Sequence, residues 1–182
     1  MRPVQTVAIV ATFSAMIVGS DFALASVPNV KLLDSLVFVA AFVFGFRIGA
    51  YVGILSEVTW SFVSPIGMAG AITPFLVGGE LLFAVAGWWA SRVWGDKSKL
   101  LTPNSMFIGA LMLVCAFVWD FETNAATALI VSWPALTIEK IALYEGYGIP
   151  FALVHEGADF LLGVLVAPAT ILLIPKMMRG RE

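Results

Sequence analysis

Long runs of hydrophobic residues dominate the chain, and short groups of glycine, proline, asparagine and charged residues separate them. Runs of about 20 apolar residues have the length that a helix needs to cross the hydrocarbon core of a bilayer. The second and third runs are short, so these segments could be tilted or partly re-entrant. The pattern predicts six membrane-spanning helices, at residues 4–20, 32–46, 48–64, 73–94, 105–131 and 150–175.

Composition agrees with this interpretation. Hydrophobic residues make up 60% of the 182 residues and charged residues only 12%, and mean hydropathy is +0.98. A soluble domain averages roughly 45–50% apolar and about 25% charged residues. We therefore expect residues 1–182 to form a single all-α integral membrane domain, a six-helix bundle.

Two segment ends need interpretation. The N-terminal segment has a basic start, an apolar run at 7–18 and small residues after it, as signal peptides do, but we interpret it as the first membrane helix. Pro150 suits the first turn of the last helix, where a missing N–H costs nothing. We therefore expect the sixth helix to begin there.

The distribution of lysine and arginine predicts the orientation. Six spans place both termini on one side of the membrane, and that side collects eight of the ten basic residues. Positively charged loops remain in the cytoplasm, so we expect both termini to be cytoplasmic, in the cell membrane. The eight are Arg2, Arg47, Arg92, Lys97, Lys99, Lys176, Arg179 and Arg181, against Lys31 and Lys140 outside.

The ionisable residues inside the predicted spans form a second asymmetry, because they all fall in the outer half of the bilayer. Each such group costs about 2.5–3.5 kcal/mol at the centre of a membrane helix. Their common depth in four helices predicts one polar cavity that opens outward. These residues are Glu57, Glu80, Asp120, Glu122, His155, Glu156 and Asp159.

Helical spacing supports a shared cavity. His155 and Asp159 are four residues apart, so they lie on one face of the sixth helix. Trp60 and Trp119 stand close to Glu57 and Asp120 in the chain, and we add both rings to the candidate binding residues. Glu156 is left out, because an acid in the first turn of a helix can simply complement its dipole.

The sequence HEGAD at 155–159 also invites comparison with the zinc motif HExxH. That motif needs two histidines four residues apart, whereas this chain has Asp159 in the second position and no other histidine. A His/Asp/Glu site is conceivable, but the sequence predicts no metal site, no cofactor and no enzyme. The chain also has no GxSxG and no GxxxxGK[ST] phosphate loop.

The middle of the chain resembles the substrate-binding S components of energy-coupling factor (ECF) vitamin transporters. The similarity lies in PNV at 28–30, FVFGFRIGAYVGILS at 42–56 and SPIG at 64–67, and residues 8–90 contain most of it. The resemblance implies a six-helix subunit that captures a micronutrient at an outward-facing pocket. It also implies partners, namely a transmembrane coupling subunit and two ATP-binding subunits.

The resemblance further implies roles for particular residues. An AxxxA stretch on the first helix meets the coupling subunit in the family, and Ala11 and Ala15 match it here, with Ala8 nearby. The loop between the first two helices gates the pocket in the family, which makes Asn29 a candidate contact. The excess of carboxylates departs from what a neutral or anionic vitamin needs. It favours a cationic ligand or one that donates many hydrogen bonds, with tryptophan rings available for cation–π contact.

We therefore expect a substrate-capture subunit whose ligand contacts nine residues: Asn29, Glu57, Trp60, Glu80, Trp119, Asp120, Glu122, His155 and Asp159. Two other functions remain open from the sequence. The chain could be a structural subunit of another membrane complex, in which the polar residues bond between helices, or an intramembrane metallohydrolase. The sequence does not name the ligand.

Overall fold

The computed structural model describes residues 1–94 and 104–179, with side chains up to residue 174. The predicted cytoplasmic residues Lys97, Lys99 and Arg181 lie outside the described residues. Within the described ranges the chain is helical and contains no β-strand. The α-helices are α1 (Pro3–Leu24), α2 (Leu33–Phe44), α3 (Phe46–Val63), α4 (Thr73–Val93), α5 (Asn104–Ser132) and α6 (Ile138–Arg179), with a 3₁₀ turn at Gly70–Ile72 before α4.

Four of the helical segments are long and apolar enough to cross a membrane: Pro3–Leu24, Gly70–Val93, Asn104–Ser132 and Ile138–Ile174. α2 is also apolar but shorter. The all-helical class predicted from the sequence is thus confirmed, and the four apolar helices are compatible with the predicted membrane protein. The six membrane crossings and the cytoplasmic termini stay predictions.

The start of the last helix differs from the prediction. α6 begins at Ile138 rather than at Pro150, which lies in the helix interior. His155 is therefore about 25 Å along the helix from its first residue, at 1.5 Å per residue. Because Glu156 is not in the first turn, its interpretation as a dipole-complementing residue is wrong. Prolines are tolerated inside membrane helices, so Pro150 does not mark a boundary.

α2 is the centre of the bundle. Its residues from Leu33 to Phe42 are all buried, and it packs against α3, α4 and α6. A helix that is hydrophobic on every side belongs in an interior, which explains its unbroken apolar sequence. The polar side chain of Asp34 in its first turn is buried with the rest.

Glycines allow the helices to approach α2 and each other closely. A Cβ atom on Gly87 would collide with the backbone carbonyl of Phe38. A Cβ on Gly163 would lie 2.7 Å from the Cα of Gly109, which brings the backbones of α5 and α6 together. In lipid, no hydrophobic driving force holds helices together. Small residues at such crossings allow the close packing that does so instead. Gly45, with φ of 96°, makes the tight turn between α2 and α3.

Successive helices run up and down the bundle, so three connections meet at one end, which we call the loop end. These connections are residues 25–32, 64–72 and 133–137. Acidic side chains lie in the first turn of α2, in the second half of α3 and in the first half of α4. All three therefore belong to the half of the bundle nearest the loop end, while Arg2, Arg47 and Arg92 lie towards the other end.

Candidate functional site

Buried ionisable side chains from six helices converge near the loop end, and we call this group the acidic cluster. It contains six carboxyl groups, which are buried. Within the described part of the chain, two basic side chains lie among them. The carboxyl groups belong to Asp21, Asp34, Glu57, Glu80, Asp120 and Asp159, and the bases are Lys31 and His155.

His155 is the point at which three helices meet. Its Nδ1 lies 3.0 Å from Oδ2 of Asp120 on α5, and its Nε2 lies 3.4 Å from Oδ2 of Asp34 on α2. Oδ2 of Asp159, one turn along α6, is 3.9 Å from the same Nε2. An ionised Asp120 can only accept, so the matching tautomer of His155 would carry its proton on Nδ1 and donate it to Asp120. The ring is thereby held with Nε2 facing two acids.

Several carboxylate oxygens of the cluster lack partners. Neither oxygen of Asp159 has a hydrogen-bond donor among the described residues, although the residue is only 1% exposed. The same holds for Oε2 of Glu57 and Oε2 of Glu80, whereas Oε1 of Glu57 accepts a hydrogen bond from Ser61 at 3.2 Å. Buried polar groups in proteins are normally satisfied. The cluster therefore has capacity to bind a cation or a hydrogen-bond donor.

Lys31 brings a positive charge to the cluster from the loop between α1 and α2. Burial opposes that charge, but the carboxylates of Glu57, Asp34 and Glu80 outweigh this effect and raise the pKa of Lys31. Its Nζ lies 6.0 Å from the centre of the Trp119 ring, at the limit for a cation–π contact. One ammonium group balances only part of the carboxylate excess.

The loop carrying Lys31 is fastened at two places. Asn29 Nδ2 donates to the backbone oxygen of Phe151 on α6, at 3.2 Å, and the Leu32 amide donates to Asp21 on α1, also at 3.2 Å. Asn29 has φ of 55°, a left-handed conformation in which asparagine is enriched. The loop thus covers the acidic cluster from the loop end.

The two predicted tryptophans have different positions. The Trp119 ring packs edge-on against His155, with centroids 5.0 Å apart, and its Nε1 donates to the Leu76 oxygen on α4. Trp60 is buried and packs edge-on against Phe22 of α1, with centroids 5.3 Å apart. Trp119 therefore forms a wall of the His155 centre, while Trp60 joins α3 to α1.

Two acids predicted to lie at the same depth are placed at the side of the cluster. Glu122 is half-buried beside α4, with Oε1 3.2 Å from where a Cβ on Gly78 would lie. Glu156 lines a cleft of about 260 Å³ between α5 and α6. Asp120 also lines this cleft, so the carboxyl group that holds His155 separates the cleft from the cluster. Glu122 therefore lies beside α4, and Glu156 shares the cleft with Asp120.

The predicted partner-contact residues lie on an uncovered face. Ala8, Ala11 and Ala15 on α1 are all exposed, as is Gly19 one turn further. A Cβ on Gly19 would meet nothing within 4 Å. The face is therefore free for close helix packing.

Five predicted acids and bases meet in the cluster, but the sequence analysis did not identify three of its members. These are Asp21, Lys31 and Asp34. Asp34 and Asp21 each sit where a helix meets the first loop, at the same depth as the predicted acids. Their depth could have identified them as members of the cluster. They were passed over because acidic residues are common at helix ends.

The arrangement can attract and hold a positively charged group within a mostly apolar bundle. Its chemistry includes one imidazole, several unpartnered carboxylate oxygens and an aromatic wall. Comparison of the chain with protein-family models, with curated proteins and with solved structures finds no match.

Proposed function

We propose that this chain is the substrate-capture subunit of an ECF-type importer. In this proposal it is a six-span protein of the cell membrane with cytoplasmic termini. It binds a small cationic or hydrogen-bond-donating micronutrient in the acidic cluster and delivers it with a coupling subunit and two ATP-binding subunits. The chain itself is not an enzyme.

The observation that carries the proposal is the set of unpartnered oxygens on Glu57, Glu80 and Asp159. A structural subunit would satisfy its buried carboxylates pairwise across its helices, because an unpaired buried polar group costs about 1–3 kcal/mol. Here one oxygen of Glu57, one of Glu80 and both of Asp159 have no partner among the described residues. A binding protein tolerates that cost because the ligand supplies the missing partners.

Two further features support capture rather than a purely structural role. The loop with Asn29 and Lys31 is attached to α6 through a single side-chain hydrogen bond from Asn29, which is a weak fastening suited to opening. Lys31 supplies a tethered positive charge that interacts with the carboxylates of Glu57, Asp34 and Glu80, and a cationic ligand could replace it. The exposed small-residue face of α1 offers a separate surface for the coupling subunit.

The proposal is tested with a thermal-shift screen of purified protein against cationic vitamins and aminomethylated nucleobase precursors, in the presence of a chelator. We expect at least one compound to stabilise the protein in a concentration-dependent manner. Absence of stabilisation by every compound, together with failure to co-purify with coupling and ATP-binding subunits, would contradict it.

Substitution of Glu80 then locates the binding. Glu80→Gln keeps the shape of a buried side chain but removes its charge, and we expect affinity to fall at least about tenfold, the loss of one hydrogen bond to a charged group. Glu139→Gln is the matched control, since Glu139 is exposed in the first turn of α6. Equal binding by both variants would place the ligand elsewhere.

A further inference from the structure

The side chains of Asp34, His155 and Asp159 form a compact group of possible metal ligands. One donor atom from each lies within 4.8 Å of the other two, and all three residues are buried. They come from two helices, α2 and α6, that pack directly against each other. The group therefore sits on rigid elements rather than on a loop.

The distances around His155 match those between ligands of one ion. Two ligands about 2.0–2.1 Å from a tetrahedral Zn²⁺ are about 3.3–3.4 Å apart. Nε2 of His155 lies 3.4 Å from Oδ2 of Asp34 and 3.9 Å from Oδ2 of Asp159. A small movement of the Asp159 side chain would bring the second distance to the same value.

The orientation of the imidazole points the same way. A metal-binding histidine nearly always donates its other N–H to a carboxylate or a carbonyl, which fixes the tautomer and turns the free nitrogen towards the ion. Nδ1 of His155 lies 3.0 Å from Oδ2 of Asp120, so the tautomer protonated at Nδ1 would donate to Asp120 and present Nε2 to Asp34 and Asp159. Asp120 would then be a positioning residue that does not touch the ion.

A direct ion pair explains the same group less well. A protonated Nε2 could donate to Asp34, but 3.4 Å exceeds the usual range of about 2.7–3.2 Å for N–H···O bonds. Asp159 would still have no donor for either oxygen, at 1% exposure. An ion between the three ligands would satisfy both carboxylates at once.

We propose that Asp34, His155 and Asp159 bind one divalent transition-metal ion, with Asp120 orienting His155. One imidazole with carboxylates suits zinc and its neighbours in the first transition row, whereas Mg²⁺ and Ca²⁺ prefer oxygen ligands alone. The sequence predicted no metal because HEGAD lacks the second histidine. The third ligand comes from α2, over a hundred residues away. The ion and the proposed micronutrient would share Asp159 and His155, but the test of metal binding does not require transport.

The test uses the untagged full-length protein in detergent, stripped with a chelator and dialysed against Zn²⁺ or Co²⁺. We expect about one equivalent of metal per chain, and ligand-field absorption from Co²⁺ in a low-symmetry site. Asp159→Asn should weaken binding more than tenfold. Asp120→Asn should weaken it by about 10–100-fold, as loss of an outer carboxylate does elsewhere.

Glu139→Gln is the matched control, because Glu139 is exposed in the first turn of α6, far along that helix from His155. It should bind metal as the unaltered protein does. If the Asp159 variant does not fold, pulsed electron paramagnetic resonance of Cu²⁺ bound to the unaltered protein decides the question. His155 is the chain's only histidine. A coupling between the Cu²⁺ electron and imidazole nitrogen therefore shows that His155 binds the ion.

Three results would overturn the proposal: no retained metal after dialysis, equal affinity in Asp159→Asn and the unaltered protein, or bound Cu²⁺ without an imidazole signal. None of them bears on micronutrient capture, since the thermal-shift screen is performed with a chelator present. Conversely, metal binding by a protein that no organic compound stabilises, and that does not co-purify with coupling and ATP-binding subunits, would refute the capture function and leave the metal site intact.

Discussion

His155 on α6 and Asp34 on α2 are 121 positions apart in the chain, yet Nε2 of the histidine lies 3.4 Å from Oδ2 of the aspartate. This contact ties the central helix to the last helix at the depth where the other carboxylates converge. It also places the single imidazole of the chain between acids from three helices. The chemistry of the cluster therefore depends on how α2, α5 and α6 pack.

Lys31 is expected to stabilise the fold through the carboxylates around it. Lys31→Met should lower the free energy of unfolding by about 1–3 kcal/mol, less than for a fully buried pair because Lys31 is only half-buried. Thermal unfolding in detergent measures the change. Lys140→Met is the control, since Nζ of Lys140 donates to the Ala135 oxygen in the loop before α6. Similar losses in the two variants would refute a special role for Lys31.

The same lysine predicts a pH dependence. Its folded-state pKa is raised above the unfolded value of about 10.4. The stabilisation is therefore fully present below about pH 10 and is lost as pH rises through the folded-state pKa. The stability difference between the unaltered protein and Lys31→Met should shrink only in strongly alkaline buffer. A difference that instead shrinks between about pH 6 and 8 would contradict this assignment.

Asn29 should control how firmly the first loop is closed. Asn29→Gly removes the hydrogen bond to the Phe151 oxygen but keeps the left-handed backbone, and should cost about 0.5–1.5 kcal/mol. Asn29→Ala also strains the backbone and should cost about 1 kcal/mol more. Hydrogen exchange of the amides at residues 25–32 should be faster in both variants. Exchange unchanged from that of the unaltered protein would show that Asn29 does not hold the loop.

The α5–α6 crossing should not tolerate a side chain at Gly109. A Cβ there would lie 2.7 Å from the Phe160 oxygen and 2.6 Å from a Val164 methyl group. Gly109→Ala should destabilise the protein by about 1–3 kcal/mol through overpacking. Gly157→Ala on α6 is the control, because its Cβ would meet nothing within 4 Å, and alanine favours a helix. If thermal unfolding ranks the two variants equally, the crossing is looser than described.

The exposed face of α1 should matter for assembly and not for folding. Ala11→Leu and Ala15→Leu enlarge residues that contact lipid or a partner, so thermal stability should stay within about 0.5 kcal/mol. Recovery of coupling and ATP-binding subunits with the tagged chain should fall at least about tenfold, because small residues permit close helix approach. Ala110→Leu, at an exposed position on α5, should leave recovery unchanged. Unchanged recovery in the α1 variants would place the partner surface elsewhere.

The helix bounds predicted from the sequence agree with the structure where a helix-ending residue such as glycine closes the hydrophobic run. Gly45 separates α2 from α3, and both helices begin and end within two residues of the predicted bounds. The predicted start of α6 was wrong because a proline occurs both in the first turn of a helix and inside membrane helices, and the sequence around Pro150 does not distinguish the two. Packing against α5 decides between the two, and that packing is not visible in a run of residues.

The candidate site shows the same division. The common depth of Glu57, Glu80, Asp120, His155 and Asp159 was readable from topology, because helix rise converts chain position into depth. The sequence does not show which direction each side chain faces around its helix axis. Glu122 was therefore grouped with the others, although it faces α4. Asp34 was missed because an acid in the first turn of a helix is common. Its importance for the site follows only from the burial of α2 on all sides.

The amino-acid sequence by itself determined that this chain is all-helical with helices apolar enough for a membrane, and it predicted that the acidic residues of the spans and His155 share one depth. Hydrophobicity and helix geometry are local properties, so they can be read along the chain. Only the tertiary structure decided that Asp34 and Asp159 flank Nε2 of His155 and that Lys31 reaches the same cluster. Such contacts depend on which faces of distant helices meet, and Gly87, Gly109 and Gly163 permit those meetings at close range.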